Sequence, residues 1–172
     1  MESNTQTTSH ITIAMKQGAY FGVLFSANFL CSTSSSAFLQ FLTYFITASI
    51  AVTLWRRTCL YRDKHTQGVI SFMQVVWFIM TVFIFATLIS ALVKMLYLKY
   101  INPTYLNALY ENSKQVLQIL YKDNMANYDE TYKAMLDPKT FILSISSLNI
   151  FIGLIIGCIY APFIRRKEKT EE

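Results

Sequence analysis

Residues 65–93 read HTQGVISFMQVVWFIMTVFIFATLISALV and contain no lysine, arginine, aspartate or glutamate. A bilayer core about 30 Å thick needs about 20 apolar residues in helical form, so this stretch holds one crossing. Two more stretches without formal charge, residues 17–55 and 140–164, have room for two crossings and one crossing. The sequence therefore predicts an all-α membrane protein, a four-transmembrane-helix bundle.

The composition agrees with a single membrane domain over residues 1–172. Of these 172 residues 53% are hydrophobic and 15% are charged, whereas soluble domains have about 45–50% and about 25%. The net charge of +5 could suggest nucleic acid. Its basic residues gather beside apolar segments, which is typical of membrane orientation. We expect the lipid bilayer as a partner, and no nucleic acid.

The predicted spans are residues 17–34, 37–55, 69–98 and 140–164. The first has an alternative interpretation as a cleaved signal peptide, because an early charge, an apolar middle and small residues afterwards mark such peptides. Against cleavage, the polar lead is long and its only cation, Lys16, comes late.

Residues 99–139, between the third and fourth spans, form the one sizeable hydrophilic segment. Asn102 followed by Pro103 is a helix-start signal. Apolar side chains then recur near helical spacing, which predicts one or two amphipathic helices. These side chains are Leu106, Leu109, Tyr110, Leu117 and Leu120, followed by Met125, Tyr128, Tyr132 and Met135.

Two cation-rich flanks set the expected orientation. Residues 56–64 and 165–169 hold all five arginines and three of the lysines, and such flanks stay in the cytoplasm. Four crossings put both flanks on one side. We therefore expect cytoplasmic N- and C-termini and an extracytoplasmic amphipathic segment.

Two glycine pairs are candidate helix-packing positions. Gly18 and Gly22 repeat the spacing of Gly153 and Gly157, and residues four apart share one helix face where a second backbone can approach closely. Packing inside one bundle, with the first span against the fourth, is the favoured interpretation. Contact with a second copy of the chain, giving a homo-oligomer, is the alternative.

Four amides and one lysine are candidates for a polar path. Such amides more often bond across helices, and a lysine near the end of a span can extend its ammonium group to water. The alternative is that all five line one cavity of a permease. The residues are Asn28, Gln40, Gln74, Lys94 and Asn149.

The sequence shows no familiar reactive constellation. His10 and His65 are far apart, and the three cysteines have no metal-binding spacing. Nucleotide-binding, zinc-protease and hydrolase motifs are missing. We therefore expect a protein that is not an enzyme, with no catalytic residue, no metal and no cofactor.

The chain resembles a known family around its third span. The residues that carry the likeness are Tyr61-Arg62-Asp63-Lys64, Gly68 to Phe72, and Tyr100 to Leu106. They resemble a bacterial family catalogued as a domain of unknown function, numbered 4199, with four predicted membrane helices. The resemblance implies a small multi-pass protein of the bacterial inner (cytoplasmic) membrane, without an agreed activity or site residues to carry over.

The leading functional hypothesis is a non-enzymatic interaction or accessory subunit. Its protein partner would contact the apolar stripe between Tyr105 and Met135. The alternative is a small oligomeric permease for ions or small molecules.

Overall fold

Most of the described residues are helical. The computed structural model describes the backbone of residues 2–34, 36–120 and 125–166, and the side chains of residues 10–34, 36–114 and 130–166. Helices occupy most of these ranges, which confirms the all-α prediction. They are α1 (Glu2–Ser32), α2 (Ala37–His65), α3 (Phe72–Leu96), a π-helical turn (Tyr97–Ile101), α4 (Tyr105–Leu120), α5 (Met125–Met135) and α6 (Pro138–Ile164).

Three of these helices are long and apolar enough to cross a membrane. They are Ala37–His65, Phe72–Ile101 and Pro138–Ile164, and they overlap the second, third and fourth predicted spans. Helix α1 is also long, with 31 residues. Lys16, Gln17 and Asn28 lower its mean hydropathy, and it is not among the three.

Two boundaries differ from the sequence-based expectation. Helix α1 begins at Glu2 instead of residue 17, and α2 continues to His65, so residues 56–64 are helical. No glycine or proline interrupts either extension. Cations in the last turn of a helix also interact favourably with its dipole. The break follows at Gln67 and Gly68, which both have positive φ.

The chain divides into two compact units. Unit 1 comprises residues 1–90 and 148–172, and unit 2 comprises residues 91–147. In unit 1, helices α1 and α2 pack with residues 72–90 of α3 and 148–164 of α6. Its core holds side chains from all four segments, including Phe21, Leu54, Ile79, Val82 and Ala161.

Helix α1 approaches α3 through the first glycine pair. A Cβ atom at Gly18 would lie 2.5 Å from the Cβ of Phe85 and 3.0 Å from the carbonyl oxygen of Val82. At Gly22 it would lie 2.8 Å from the Cβ of Ile89. Neither position leaves room for a side chain, so the two backbones are as close as glycine allows.

Helix α6 approaches α3 through the second pair. A Cβ at Gly153 would lie 2.5 Å from the Cγ of Phe83, and one at Gly157 would lie 3.3 Å from the Cα of Val76. Both glycine pairs therefore face α3, whereas the sequence had suggested the first span against the fourth. Half of the most apolar window of α3 is buried in the protein, against 11% for α2 and α6. Helix α3 is thus the central helix of unit 1.

The contacts also give the helix directions. Residue numbers increase in the same direction along α1 and α3, since Gly18 lies beside Phe85 and Gly22 beside Ile89. These two helices are therefore parallel. Helices α2 and α6 run the other way. The Arg62 guanidinium donates to the carbonyl oxygen of Ile164 at 3.2 Å, and Ile70 pairs with Arg166.

One end of unit 1 consequently holds the ends of α2 and α6 and the segment before α3. We call it the basic end, because it carries Arg62, Lys64, Arg165 and Arg166. The opposite end holds the turn between α1 and α2.

We expect Gly18→Leu to destabilise the fold strongly, because backbone atoms of α3 occupy the space that the new side chain needs. Overpacking of this kind costs about 1–3 kcal/mol. Thermal unfolding in detergent measures the effect, and Ala19→Leu at the neighbouring exposed position is the control. Equal melting temperatures for the two variants would contradict the α1–α3 contact.

Candidate functional site

Three of the four amides suggested for a polar path have contacts at separate places in unit 1. The Asn28 Oδ1 lies 3.5 Å from the Thr47 hydroxyl, between α1 and α2, and this hydroxyl donates to the carbonyl oxygen of Thr43 at 2.9 Å. The Gln40 amide donates to the carbonyl oxygen of Ser34 at 3.0 Å, in the turn before α2. The Gln74 side chain accepts from the backbone N–H of Ser71 at 2.9 Å, at the start of α3.

These contacts lie far apart. Gln40 lies near the beginning of α2, and the Ser71–Gln74 contact follows the end of α2. At 1.5 Å per residue, the intervening part of α2 is roughly 35 Å long. The structure therefore does not bring Gln40 and Gln74 to one cavity. Asn149 is half-buried on α6.

Lys94 belongs to unit 2 and is only 3% exposed. The sequence suggested that its ammonium group reaches water near the end of the span. Instead, other parts of the protein cover this side chain. A buried cation of this kind is costly in a membrane helix unless it has partners.

An open groove in unit 1 brings together residues that the sequence did not connect. Its volume is about 630 Å³, and its walls come from the first part of α3, the beginning of α1 and the end of α2. Most of the lining is apolar. The lining residues are His10, Ile11, Ala14, Tyr61, Thr66, Met73, Gln74, Trp77, Phe78, Thr81, Ile84 and Phe85.

Tyr61 of α2 contacts the other two helices that line this groove. Its hydroxyl is hydrogen-bonded to Nδ1 of His10 at 2.5 Å. Its ring stacks on Phe78, with centroids 3.9 Å apart and planes 11° apart. The centroid of the His65 ring lies 5.8 Å from that of Tyr61. These contacts join α1, α2 and α3 at one point.

Sequence reasoning treated His10 and His65 as isolated. The spacing of Tyr61 and His65, one helical turn apart, could have shown that they are neighbours. The partnership of His10 with Tyr61 spans 51 positions of sequence, and no local pattern indicates it.

A second cavity, of about 540 Å³, lies within unit 2 between α4 and α5. The rings of Tyr110 and Tyr132 stack there, with centroids 6.2 Å apart. The ammonium groups of Lys114 and Lys133 lie 5.6 and 5.2 Å from the Tyr110 ring. The lining includes two acids, Glu111 and Asp137, and two lysines, Lys114 and Lys133. The other lining residues are Leu106, Asn107, Tyr110 and Leu136.

Part of the predicted apolar stripe of residues 105–135 is therefore packed inside unit 2. Leu106 is buried, with 6% exposure, and Tyr110 faces Tyr132. Leu117, Leu120, Met125 and Tyr128 lie outside the residues whose side chains are described. Met135 of the stripe is 55% exposed. The mixed-charge cavity is open at the surface of α4 and α5, and we call it the α4–α5 cleft.

Among the described residues, no group of three histidines, cysteines or carboxylates is placed to hold a metal ion. Cys31, Cys59 and Cys158 are free thiols.

The three long apolar helices define the class of this chain, which is an integral membrane protein. Within that class it belongs to the family described as "Protein of unknown function (DUF4199)", which matches residues 16–166. This match confirms the resemblance seen in the sequence. Neither the curated proteins nor the solved structures contain a match to the chain.

We expect Tyr61→Phe to lower the free energy of unfolding by about 1 kcal/mol, the net worth of one hydrogen bond. The substitution removes the bond to His10 and keeps the stack on Phe78. Denaturant unfolding in detergent checks this. Tyr44→Phe is the control, because Tyr44 lies on the same helix and is 75% exposed. A Tyr61→Phe variant as stable as this control would contradict the role given to the hydroxyl.

Proposed function

We propose that the chain is a four-span, non-enzymatic interaction subunit of the bacterial inner membrane. In this proposal the basic end of unit 1 faces the cytoplasm, and α4 and α5 lie on the extracytoplasmic side of the membrane. The α4–α5 cleft is the contact surface for a protein partner.

The fourth crossing is supported by the contact between α1 and α3. Gly18 and Gly22 lie against residues 82–89 of α3, which are the middle of the apolar Phe72–Ile101 span. A bilayer that holds this part of α3 at its centre holds the glycine face of α1 at the same depth. Helix α1 then crosses the bilayer because it packs against α3, although the sequence of α1 is less apolar than that of α3.

The orientation is supported by the grouping of cations. The ends of α2 and α6 meet through the Arg62–Ile164 hydrogen bond and the Ile70–Arg166 pair. Residues 56–64 therefore lie at the same end of unit 1 as Arg165 and Arg166, the described cations of the second flank. Such a concentration of arginine and lysine favours the cytoplasmic face.

The interaction role is supported chiefly by the α4–α5 cleft. Its lining combines carboxylates from Glu111 and Asp137 with ammonium groups from Lys114 and Lys133. A surface with both signs of charge selects a partner with a complementary pattern, and such complementarity favours specific protein contacts. The permease alternative lacks comparable support, because Gln40 and Gln74 do not share a cavity.

Cysteine labelling in intact cells tests the orientation. In a background without Cys31, Cys59 and Cys158, we expect a reagent that cannot cross the membrane to label a cysteine placed at Ser113 and not one placed at Lys64. Labelling of both after permeabilisation is the control. Labelling at position 64 in intact cells would contradict the proposed topology.

Photocrosslinking tests the cleft. Asn107 and Asn112 are both exposed asparagines of α4, and only Asn107 is part of the cleft lining. We expect a photoreactive residue at 107 to give a discrete cross-linked protein that the same residue at 112 does not give. Glu111→Lys should reduce the yield at position 107, because it reverses one charge of the cleft. Equal yields at both positions would count against the cleft as the contact surface.

A further inference from the structure

The groove of unit 1 carries large apolar side chains that are exposed in the described part of the chain. Met73 and Trp77 on α3 are 59% and 60% exposed, and Ile11 on α1 is 46% exposed. Since α3 is long and apolar enough to cross a bilayer, lipid is the medium around this surface. A groove of about 630 Å³ on such a surface has room for part of a lipid molecule.

The length of the groove matches one leaflet. Its lining on α3 extends from Met73 to Phe85, which is about 18 Å at a rise of 1.5 Å per residue. The hydrocarbon core is about 30 Å thick, so one leaflet is about half of that. A single lipid chain entering from the basic end would therefore reach the far end of the groove.

The two ends of the groove differ in chemistry. Polar groups of His10, Thr66 and Gln74 lie toward the basic end, while Ile84 and Phe85 form the other end. Lys64 lies three residues after Tyr61, on the same side of α2. Arg166 is held beside Ile70 by two backbone hydrogen bonds, 3.1 and 3.2 Å long. Lys64 and Arg166 are therefore close along the backbone to Thr66 and Ile70, near the end where a lipid headgroup would lie, and the carboxylate of Asp63 at this end is paired with Arg62 at 2.8 Å.

We propose that this groove binds one acyl chain of an acidic phospholipid, with the phosphate at the basic end. Basic pockets between membrane helices bind anionic headgroups through the same combination of charge and apolar surface. The proposal depends on the membrane class of the protein and not on the α4–α5 cleft.

The positive charge of the basic end also favours a lipid over a second copy of the chain as the occupant of the groove. Two copies in one membrane share their orientation, so contact between their grooves would bring two basic ends together. Like charges across an interface oppose association. An anionic headgroup instead neutralises the same cations.

Native mass spectrometry of the purified full-length protein in detergent measures the binding. The probes are phosphatidylglycerol and phosphatidylcholine with identical acyl chains, so that only the headgroup charge differs. We expect one tightly bound phosphatidylglycerol, with an affinity about tenfold above that for phosphatidylcholine, which corresponds to about 1.4 kcal/mol.

Two matched pairs of variants locate the binding. Thr81→Trp fills the groove and should reduce phosphatidylglycerol binding about tenfold, whereas Leu88→Trp, at an exposed position of α3 outside the groove, should not. Lys64→Gln should reduce it about fivefold, the effect of one cation near a lipid surface. Arg56→Gln removes a cation from another face of α2 and should have little effect.

Each result decides the proposal. Equal affinity for the two lipids, or equal binding by Thr81→Trp and Leu88→Trp, would overturn it. A dimer that Thr81→Trp abolishes, without any lipid preference, would assign the groove to a second copy and would also overturn it. Should Thr81→Trp fail to fold, Trp77→Ala removes an exposed wall of the groove and should still weaken binding, and unchanged binding by that variant would refute the assignment.

Discussion

The close approach of two glycine faces to α3 is the constraint on which unit 1 depends. In lipid the helices gain little from burying apolar surface against one another, so contact between backbones and shape complementarity must hold them together. Gly18 and Gly22 let α1 reach α3, and Gly153 and Gly157 let α6 reach it from another side. The positions of both terminal helices therefore follow from one central helix.

Helix α2 is held differently, by polar and aromatic contacts. The Arg57 guanidinium donates to the side chain of Gln17 at 2.8 Å and lies 4.5 Å from the centre of the Tyr20 ring. The Tyr160 hydroxyl of α6 donates to the carbonyl oxygen of Ala51 at 3.2 Å. Interhelical hydrogen bonds of this kind are worth about 1 kcal/mol each in membranes. These bonds fix α2 against α1 and α6, and the Tyr61–Phe78 stack completes one end of the groove.

The long-range features of unit 1 follow from contacts that a sequence does not display. Hydropathy located the helices, because the cost of placing charge in lipid acts on each residue separately. The spacing of the glycines identified the packing faces but not their common partner, since any apolar helix can accept a glycine face. The groove was missed because His10, Tyr61 and Gln74 come from three helices. The end of α2 was also missed, because lysine and arginine are good helix formers and a cluster of charges does not by itself end a helix.

We propose that α1 crosses the bilayer because it packs against α3, although α1 alone is the less apolar helix. Spin labels at Val23 of α1 and Leu88 of α3 test it directly, because both side chains are exposed, at 64% and 58%, and their neighbours Gly22 and Ile89 are in contact. In lipid vesicles the account predicts that both labels are open to oxygen and protected from a water-soluble relaxation agent, at the same depth. A label at position 23 that the water-soluble agent reaches freely, beside a protected label at position 88, would contradict it.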